Sequence, residues 1–263
     1  MMPVDAAITR VRRDLTLSTL LKSVLLVGVL ACFVIGPDNM RVAALLGIGA
    51  IWFWLSLNSA RSSRAAAQSP SLIAAGQFEE AEKNIEQTVR SFSIFRPVKL
   101  QALHHMALLR HAQRRWQESA ALCRALLRQR LGILGSLNRS TRLLLADALL
   151  EMNDARGAYH AMTGLYRERL ALPEMLHLLL IQLDYSARIG AWQPMMDGIM
   201  AKVQLAELMP TASAARAQAL LALAAKRTGR DDFASWLKAR AELLADVQKL
   251  AVERPLLRGL WSA

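Results

Sequence analysis

Three histidines and one cysteine lie close together in the sequence: His104, His105, His111 and Cys123. Imidazole and thiolate groups are the usual protein ligands of zinc and related metals, so this stretch could bind a metal if the four side chains converged. Their spacing matches no known metal-ligand pattern. We therefore expect no metal and no other cofactor, and we expect Cys123 to be a small buried hydrophobe.

Catalytic motifs are equally missing from the sequence. It has no Gly-rich phosphate-binding loop, no HExxH pattern and no nucleophile elbow. The acidic pairs Glu79–Glu80 and Asp231–Asp232 stand where helices are expected to begin, and carboxylates there complement the helix dipole. We expect no catalytic residue, and the protein is predicted not to be an enzyme.

Apolar residues make up 54% of the 263-residue chain and are concentrated near its N-terminus. The run Leu15–Ile35 is interrupted only by Lys22. As a helix it would be about 31 Å long, enough to cross a bilayer. A second apolar run, 42–60, follows the turn sequence GPDNMR. The two runs predict a transmembrane hairpin over 15–60.

Basic residues flank the outer ends of this hairpin. Arg10, Arg12 and Arg13 precede the first run and Arg61 and Arg64 follow the second, whereas the turn contains Arg41 as its one basic residue. The positive-inside rule then places both termini in the cytoplasm, at a bacterial-type inner membrane.

A lipoprotein signal ending at Cys32 is the alternative interpretation of the first run. The sequence Val29–Cys32 faintly resembles a lipobox, but leucine before the alanine is atypical. Apolar residues also continue to Ile35, and a second apolar run follows. These features favour a membrane hairpin over a processed end.

The remaining sequence has a period of about 38 residues. Five short breaks recur, each between two amphipathic segments: Gly76–Phe78, Arg114–Trp116, Asn153–Ala155, Gly190–Trp192 and Gly229–Asp231. Prolines 97, 173 and 210 follow three of the breaks at positions where proline can start the next helix pair. The pattern predicts an all-α fold with these divisions: a cytoplasmic N-terminal segment 1–14, membrane spans 15–35 and 42–60, a linker 61–70, a repeat domain 71–247 and a tail 248–263.

Over residues 71–247 the pattern resembles the tetratricopeptide repeat (TPR) family. The resemblance rests on small residues in the first helix of a pair, aromatic residues at the turn and small residues soon after it: Ala107, Ala146 and Ala222; Phe78, Trp116 and Trp192; Ala81, Ser119, Ala158 and Ala234. The period is longer than the roughly 34 residues usual for the family. The resemblance implies an α-solenoid of about five helix pairs. A hairpin followed by repeats, with ARIGAW at 187–192, also resembles HemY-type inner-membrane proteins associated with tetrapyrrole synthesis.

In TPR proteins the first helices of the pairs line a groove that holds partner segments. The resemblance implies the following groove residues: His104, Leu108, His111, Leu143, Leu144, Asp147, Leu180, Ile181, Asp184, Arg188, Lys226 and Arg227. Its leucine-rich centre suits an amphipathic helix of a partner protein. The alternative is that these leucines contact only neighbouring repeats.

The net charge of +12 is unevenly distributed. Between Arg96 and Arg142 the basic residues are opposed by one acid, Glu118. The predicted basic surface consists of Arg110, Arg114, Arg115, Arg124, Arg128 and Arg130. Such a surface near a membrane attracts anionic headgroups. Nucleic acid is disfavoured because aromatic residues for base stacking are not interleaved, and a solvated helix face without a partner remains an alternative.

These features together predict a membrane-anchored TPR scaffold or adaptor that recruits or assembles partner proteins at the cytoplasmic face of the membrane. The alternative is a structural or accessory subunit of a large multi-subunit membrane complex. Small residues in the two spans, including Gly28, Gly47 and Gly49, would permit such packing against other membrane helices.

Overall fold

The computed structural model describes residues 2–35, 38–129 and 134–261, without the side chains of 32–35, 38–41, 43, 44, 62 and 65. The described residues form helices and connecting turns and contain no strand. The predicted all-α fold is therefore confirmed. The chain divides into two compact units, Met1–Leu144 (unit 1) and Leu145–Ala263 (unit 2).

Unit 1 contains six complete helices and the start of a seventh. They are α1 (Val4–Ile35), α2 (Asp38–Ala67), α3 (Ser69–Ala74), α4 (Phe78–Arg90), α5 (Arg96–Ala112), α6 (Trp116–Leu127) and α7 (Gly135–Glu151). Unit 2 contains the end of α7 and the remaining helices: α8 (Ala155–Thr163), α9 (Leu172–Arg188), α10 (Trp192–Met196), α11 (Ile199–Glu207), α12 (Thr211–Arg227), α13 (Asp231–Leu244), α14 (Val247–Glu253), a 3₁₀ turn (Pro255–Leu257) and α15 (Arg258–Trp261).

The two longest helices, α1 and α2, contact each other and run antiparallel. A Cβ atom added at Gly28 of α1 would lie 3.7 Å from Cδ1 of Ile48 in α2. Towards the other end, Ser18 of α1 and Ser59 of α2 both hydrogen-bond to the backbone of Ile94. Among the described residues one helix, Val4–Ala31, is long and apolar enough to cross a membrane.

The N-terminal segment 1–14 and the expected linker 61–70 are both more ordered than the sequence suggested. Residues from Val4 onward belong to α1, and α2 continues to Ala67. Ala7 and Val11 are buried, because one face of this part of α1 packs against α4, α5 and α6. The start of the chain is therefore part of the packed core of unit 1.

All five predicted breaks adopt one backbone conformation. Their first residues have positive φ angles: 76° at Gly76, 60° at Arg114, 60° at Asn153, 73° at Gly190 and 74° at Gly229. In each break this residue donates its N–H to the carbonyl three residues earlier, and the next residue donates to the carbonyl five residues earlier. This is the hydrogen-bond pattern of a left-handed helix C-cap. The predicted break positions are confirmed as five copies of one turn.

Two small residues lie between the two helices of the α5–α6 pair. Across the α5–α6 pair, the Oγ atom of buried Ser119 donates to the carbonyl of buried Ala107 at 2.9 Å. The corresponding positions of the fourth pair carry the larger Leu183 and Met195. There the second helix is divided into α10 and α11 at Gly198, which has a φ of 60°.

Candidate lipid-facing and partner-binding surfaces

A band of exposed apolar side chains covers residues 17–30 of α1 and residues 42–57 of α2. We call its end at Leu17 and Leu57 the lower edge of the band. Its members are Leu17, Leu20, Val24, Leu26, Val27 and Leu30 in α1, and Val42, Leu46, Ile51, Trp52, Phe53, Trp54 and Leu57 in α2. From Val42 to Leu57 the band is about 24 Å long at helical rise. Soluble proteins rarely expose a contiguous apolar surface of this kind, which is typical of contact with lipid or another protein.

The apolar band ends abruptly where buried polar residues begin. Ser18 in α1 and Ser59 in α2 are both buried. The Oγ atom of Ser18 donates to the carbonyl of Ile94 at 3.4 Å, and the N–H of Ile94 donates to Oγ of Ser59 at 3.3 Å. The loop between α4 and α5 is therefore fixed against both long helices at the lower edge of the band.

A buried ion pair joins α1 to α5 just below this edge. Nζ of Lys99 lies 2.7 Å from Oδ2 of Asp14, and the Lys99 side chain is fully buried. Nζ also donates to the carbonyls of Thr88, Val89 and Ser91 at the end of α4. Burial lowers the pKa of Lys99, and the hydrogen bond to Asp14 opposes that shift. The ammonium group thus joins three elements at one point.

Helix α5 runs antiparallel to α1, away from the apolar band. Its start lies near Ser18, Lys99 contacts Asp14, and Nη2 of Arg110 donates to the carbonyl of Met2 at 3.5 Å. The distance from Ser18 to Met2 along a helix is about 24 Å. The α5–α6 turn, which follows Arg110, is therefore at the end of unit 1 distant from the band.

Arg110 is not a surface residue. Its side chain is fully buried and forms ion pairs with Glu82 at 2.9 Å and with Glu118 at 3.3 Å. Including it in the predicted basic surface was wrong. The sequence pattern counted Glu118 as the one nearby acid, whereas folding brings a second carboxylate, on α4, to the same guanidinium.

The other predicted basic residues lie at two different levels of unit 1. Arg114 is exposed and Arg115 is half-buried, both in the distant α5–α6 turn, and Arg115 bonds to Glu118. Arg124 on α6 and Arg128 directly after it are exposed, and α6 runs back antiparallel to α5 towards the apolar band. Arg130 lies outside the described residues.

Of the three histidines that precede Cys123, His104 is buried and His105 and His111 are half-buried. His104 is buried, and its Nδ1 atom lies 3.1 Å from Oγ1 of Thr141. Burial lowers the pKa of His104 to about 4 and also lowers the pKa of His105. His111 packs edge-on against Trp116 with ring centroids 4.7 Å apart. His104 is therefore a core residue and does not line an open groove, while Leu108 is half-buried.

Cys123 is buried, as the sequence predicted. Burial raises the pKa of its thiol to about 12, so the thiolate is not formed at neutral pH. Among the described residues, no group of three or more His, Cys, Asp and Glu side chains is arranged to hold a metal ion.

Four predicted apolar groove residues belong to the core. Leu143, Leu144, Leu180 and Ile181 are all nearly inaccessible to solvent. Their assignment to an exposed groove was wrong, because helix spacing alone does not tell which apolar face a neighbouring helix covers. Lys226 and Arg227 are exposed, and Nζ of Lys226 donates to the carbonyl of Gly259 at 3.1 Å.

Three of the predicted groove residues of unit 2, Asp147, Asp184 and Arg188, belong to an ionic network. Its carboxylates are Asp147, Glu151 and Asp184, and its guanidinium groups are those of Arg188, Arg216 and Arg254. Nε of Arg188 lies 3.2 Å from Oδ1 of Asp184, and Arg216 pairs with Asp184 and lies 3.7 Å from Asp147. Burial lowers the pKa of Arg216, but the adjacent carboxylates outweigh this effect and raise it above its ordinary value.

Arg254 is a network member that was not predicted from the sequence. It lies in the C-terminal tail, bonds to Glu151 and approaches Oδ2 of Asp184 at 3.3 Å. Leu257 and Leu260 of the same tail are buried in the core of unit 2. Leucines flanking Arg254–Pro255 were the available signal, but the repeat pattern ends before them. The tail is therefore a packed part of unit 2.

An open cavity of about 580 Å³ lies beside this network. It is lined mainly by apolar residues, which are Leu172, Pro173, Leu176, Leu180, Leu208, Met209 and Pro210. The four polar lining residues are Asp147, His177, Ser213 and Arg216. Leu172 and Leu208 are 48% and 60% exposed. Concave apolar sites with a few polar groups are typical of binding sites.

No family model, no curated protein and no solved structure matches this chain.

Proposed function

We propose that this protein is a membrane-anchored helical-repeat scaffold of the TPR type, which recruits or assembles partner proteins at the cytoplasmic face of a bacterial-type inner membrane. The observation that carries the proposal is the exposed apolar band on α1 and α2, in a unit whose remaining helices form a conventional buried core. An exposed apolar band next to a buried core supports contact with lipid at one end of the unit and with water at the other.

In this proposal α1 and α2 form a transmembrane hairpin with spans 15–35 and 42–60 and with both termini in the cytoplasm. Arg10, Arg12, Arg13, Arg61 and Arg64 would then lie on the cytoplasmic side. An Asn39→Cys variant should react with a membrane-impermeant thiol reagent in spheroplasts, and Gln117→Cys should react only after lysis. The opposite pattern would reverse the proposed orientation.

Contact with anionic headgroups is proposed for Arg124 and Arg128. Arg124 lies in the second half of α6 and Arg128 directly after it, so both are nearer to the apolar band than the start of α6 is. Arg114 and Arg115, in the α5–α6 turn, lie about 24 Å from the lower edge of the band at helical rise. Surface charges act over a Debye length of about 8 Å at physiological salt. The electrostatic attraction to lipid is therefore assigned to the first pair and not to the second.

The partner-binding part of the proposal rests on the cavity of unit 2. Exposed leucines at its rim, Leu172 and Leu208, offer apolar contacts, and Asp147 and Arg216 offer charged ones. An amphipathic helix presents the complementary combination of leucine-like and charged side chains on adjacent faces. We propose such a helix, from a protein partner, as the ligand of this cavity.

Site-specific photocrosslinking tests this proposal with a matched control in the same unit. A benzoylphenylalanine at Leu208 should crosslink a protein partner in native membranes, whereas one at Leu243, which is 86% exposed and outside the cavity lining, should not. The double variant Leu172→Asp/Leu208→Asp should lose the partner on purification, and Leu243→Asp should retain it. Equal crosslinking at 208 and 243 would contradict a specific site.

The second candidate is a structural subunit of a large membrane complex. It is favoured by Gly47 and Gly49 of α2, where an added Cβ would meet no atom within 4 Å. Open glycine positions allow another membrane helix to approach closely. Purification in mild detergent distinguishes the two functions, because a subunit would remain in a stoichiometric membrane assembly and a scaffold would carry substoichiometric clients.

A further inference from the structure

We infer that the loop between α4 and α5, residues Ser91–Phe95, together with Arg96, is a second lipid contact that lies in the headgroup layer beside α1 and α2. The inference rests on the proposed membrane anchoring and adds a part of the repeat domain to the lipid-facing surface.

The position of this loop along the axes of α1 and α2, which we call its height, is fixed by hydrogen bonds on three sides. Ile94 is held through its carbonyl and its N–H by Ser18 and Ser59. Lys99 holds the carbonyl of Ser91, and Nη2 of Arg10 donates to the carbonyl of Arg90 at 2.7 Å. Because its anchors are helices α1, α2 and α5, the loop cannot move along the membrane normal independently of the spans.

This height coincides with the edge of the apolar band. Ser18 lies between the exposed Leu17 and Leu20, and Ser59 lies two residues after the exposed Leu57. The offset between loop and band is therefore within one helical turn, about 5 Å. The headgroup layer on each side of a bilayer is of similar thickness, roughly 5 to 8 Å. A loop at this level must meet headgroups if the band spans the hydrocarbon core.

The side chains of the loop have the chemistry of a membrane interface. Phe95 is 38% exposed, although it is a large aromatic residue, and Phe92 is half-buried. Arg96 follows directly and supplies a cation. Apolar rings that enter the boundary of the acyl chains, next to basic groups that meet lipid phosphates, characterise interfacial segments. The complementary partner is a lipid interface that contains anionic headgroups.

An environment-sensitive dye tests the contact in the full-length chain. The dye NBD is attached to the cysteine of the Phe95→Cys variant, which also carries Cys32→Ala. The labelled protein is then reconstituted in phosphatidylethanolamine–phosphatidylglycerol vesicles. The control is Gln117→Cys, an exposed position near the distant α5–α6 turn. Cys123 can remain, because it is buried and its pKa is raised to about 12. A third probe at Pro97→Cys, exposed at the start of α5, covers the case in which the Phe95 variant does not fold.

We expect blue-shifted emission from the dye at 95, with quenching by nitroxide lipids labelled near the headgroup, and water-like emission without lipid quenching at 117. Water-like, unquenched emission from the dye at 95, in protein that alkaline carbonate does not extract from the vesicles, would overturn the loop contact. The membrane anchor would be unaffected by this result. Blue-shifted emission from the dye at 95 that nitroxide lipids do not quench would show that protein, not lipid, surrounds the dye. This result would also overturn the proposed lipid contact of the loop. Release of the chain by carbonate would refute the anchor, and the loop contact with it.

Discussion

In each of the two units, buried ion pairs join the first or last described segment to the other helices. The first segment contributes the negative partner in unit 1, whereas the last segment contributes the positive partner in unit 2. In unit 1 helix α1 supplies the carboxylate of Asp14, and helix α5 supplies the ammonium of Lys99. In unit 2 helices α7 and α9 supply the carboxylates of Glu151 and Asp184, and the segment after α14 supplies the guanidinium of Arg254. In both units a segment outside the helix pairs joined by the five turns is thus ion-paired to those helices.

The two fastenings differ in how the charge is shared. The Lys99–Asp14 pair is almost completely buried, so either partner alone would leave an uncompensated charge in the core. The network of unit 2 distributes charge over six residues, and the Arg254 side chain is partly exposed. Water and the remaining partners can compensate for one loss there. The comparison predicts that loss of one charged partner destabilises unit 1 strongly and unit 2 only moderately.

The largest effect is expected from breaking the pair in unit 1. Lys99→Met should destabilise unit 1 by about 3 to 5 kcal/mol, because Asp14 is left buried without a cation. The double variant Asp14→Leu/Lys99→Met should recover most of this loss. Hydrogen exchange by mass spectrometry reads the protection of each unit separately. Equal loss of protection in the single and double variants would mean that packing and not charge compensation dominates.

A pH dependence of unit 1 should follow from His104. Burial lowers the pKa of His104 from 6.5 to about 4, so protons bind preferentially to the unfolded state. Stability is then fully present above pH 6.5 and is lost as the pH falls towards 4, by about 3 kcal/mol at 1.4 kcal/mol per pKa unit.

His104→Gln should flatten most of this dependence when protection of unit 1 is measured between pH 7 and pH 4. A smaller slope should remain, because the pKa of His105 is also lowered by burial. An unchanged slope in His104→Gln would assign the pH dependence to other groups.

A smaller effect is expected when the tail of unit 2 is released. Arg254→Leu removes ion pairs to Glu151 and Asp184 from a shared network, so the expected loss is about 1 to 2 kcal/mol. Faster hydrogen exchange should be confined to the tail, 247–261. The matched control is Arg258→Leu in the same tail, where Nε donates to the carbonyl of Ala251 at 3.3 Å. Similar effects of both variants would argue against the network as the fastening.

The smallest expected effect is a stabilisation at the shared turn. Arg114 in unit 1 and Asn153 in unit 2 occupy the left-handed position that glycine fills in the other three turns. Arg114→Gly should stabilise unit 1 by about 0.5 to 1 kcal/mol, since a Cβ atom is disfavoured there. Asn153→Gly should change unit 2 less, because asparagine tolerates this conformation. Thermal unfolding measures the midpoint temperature of each variant. We expect the largest increase for Arg114→Gly, a smaller change for Asn153→Gly and a decrease for Gly190→Ala.

The positions of the five turns could be predicted because each turn depends on a few neighbouring residues. Its hydrogen bonds join residues three and five positions apart, and its positive φ favours glycine or asparagine. The apolar runs of α1 and α2 were visible for a similar reason, since composition alone distinguishes them. By contrast, the assignment of Leu144 and Ile181 to a groove failed, while Leu172 and Leu208, which line the cavity, were not selected.

The sequence by itself determined the local properties of this chain: the helical segments, the five left-handed turns between them and the apolar composition of α1 and α2. Only the tertiary structure decided which leucines are buried and which charges are paired. Arg254 and Glu151 are 103 residues apart in sequence, and Asp14 meets Lys99 across helices α1 and α5. Such pairs depend on which helix faces meet when the core packs, and the period of a single helix carries no information about its neighbour.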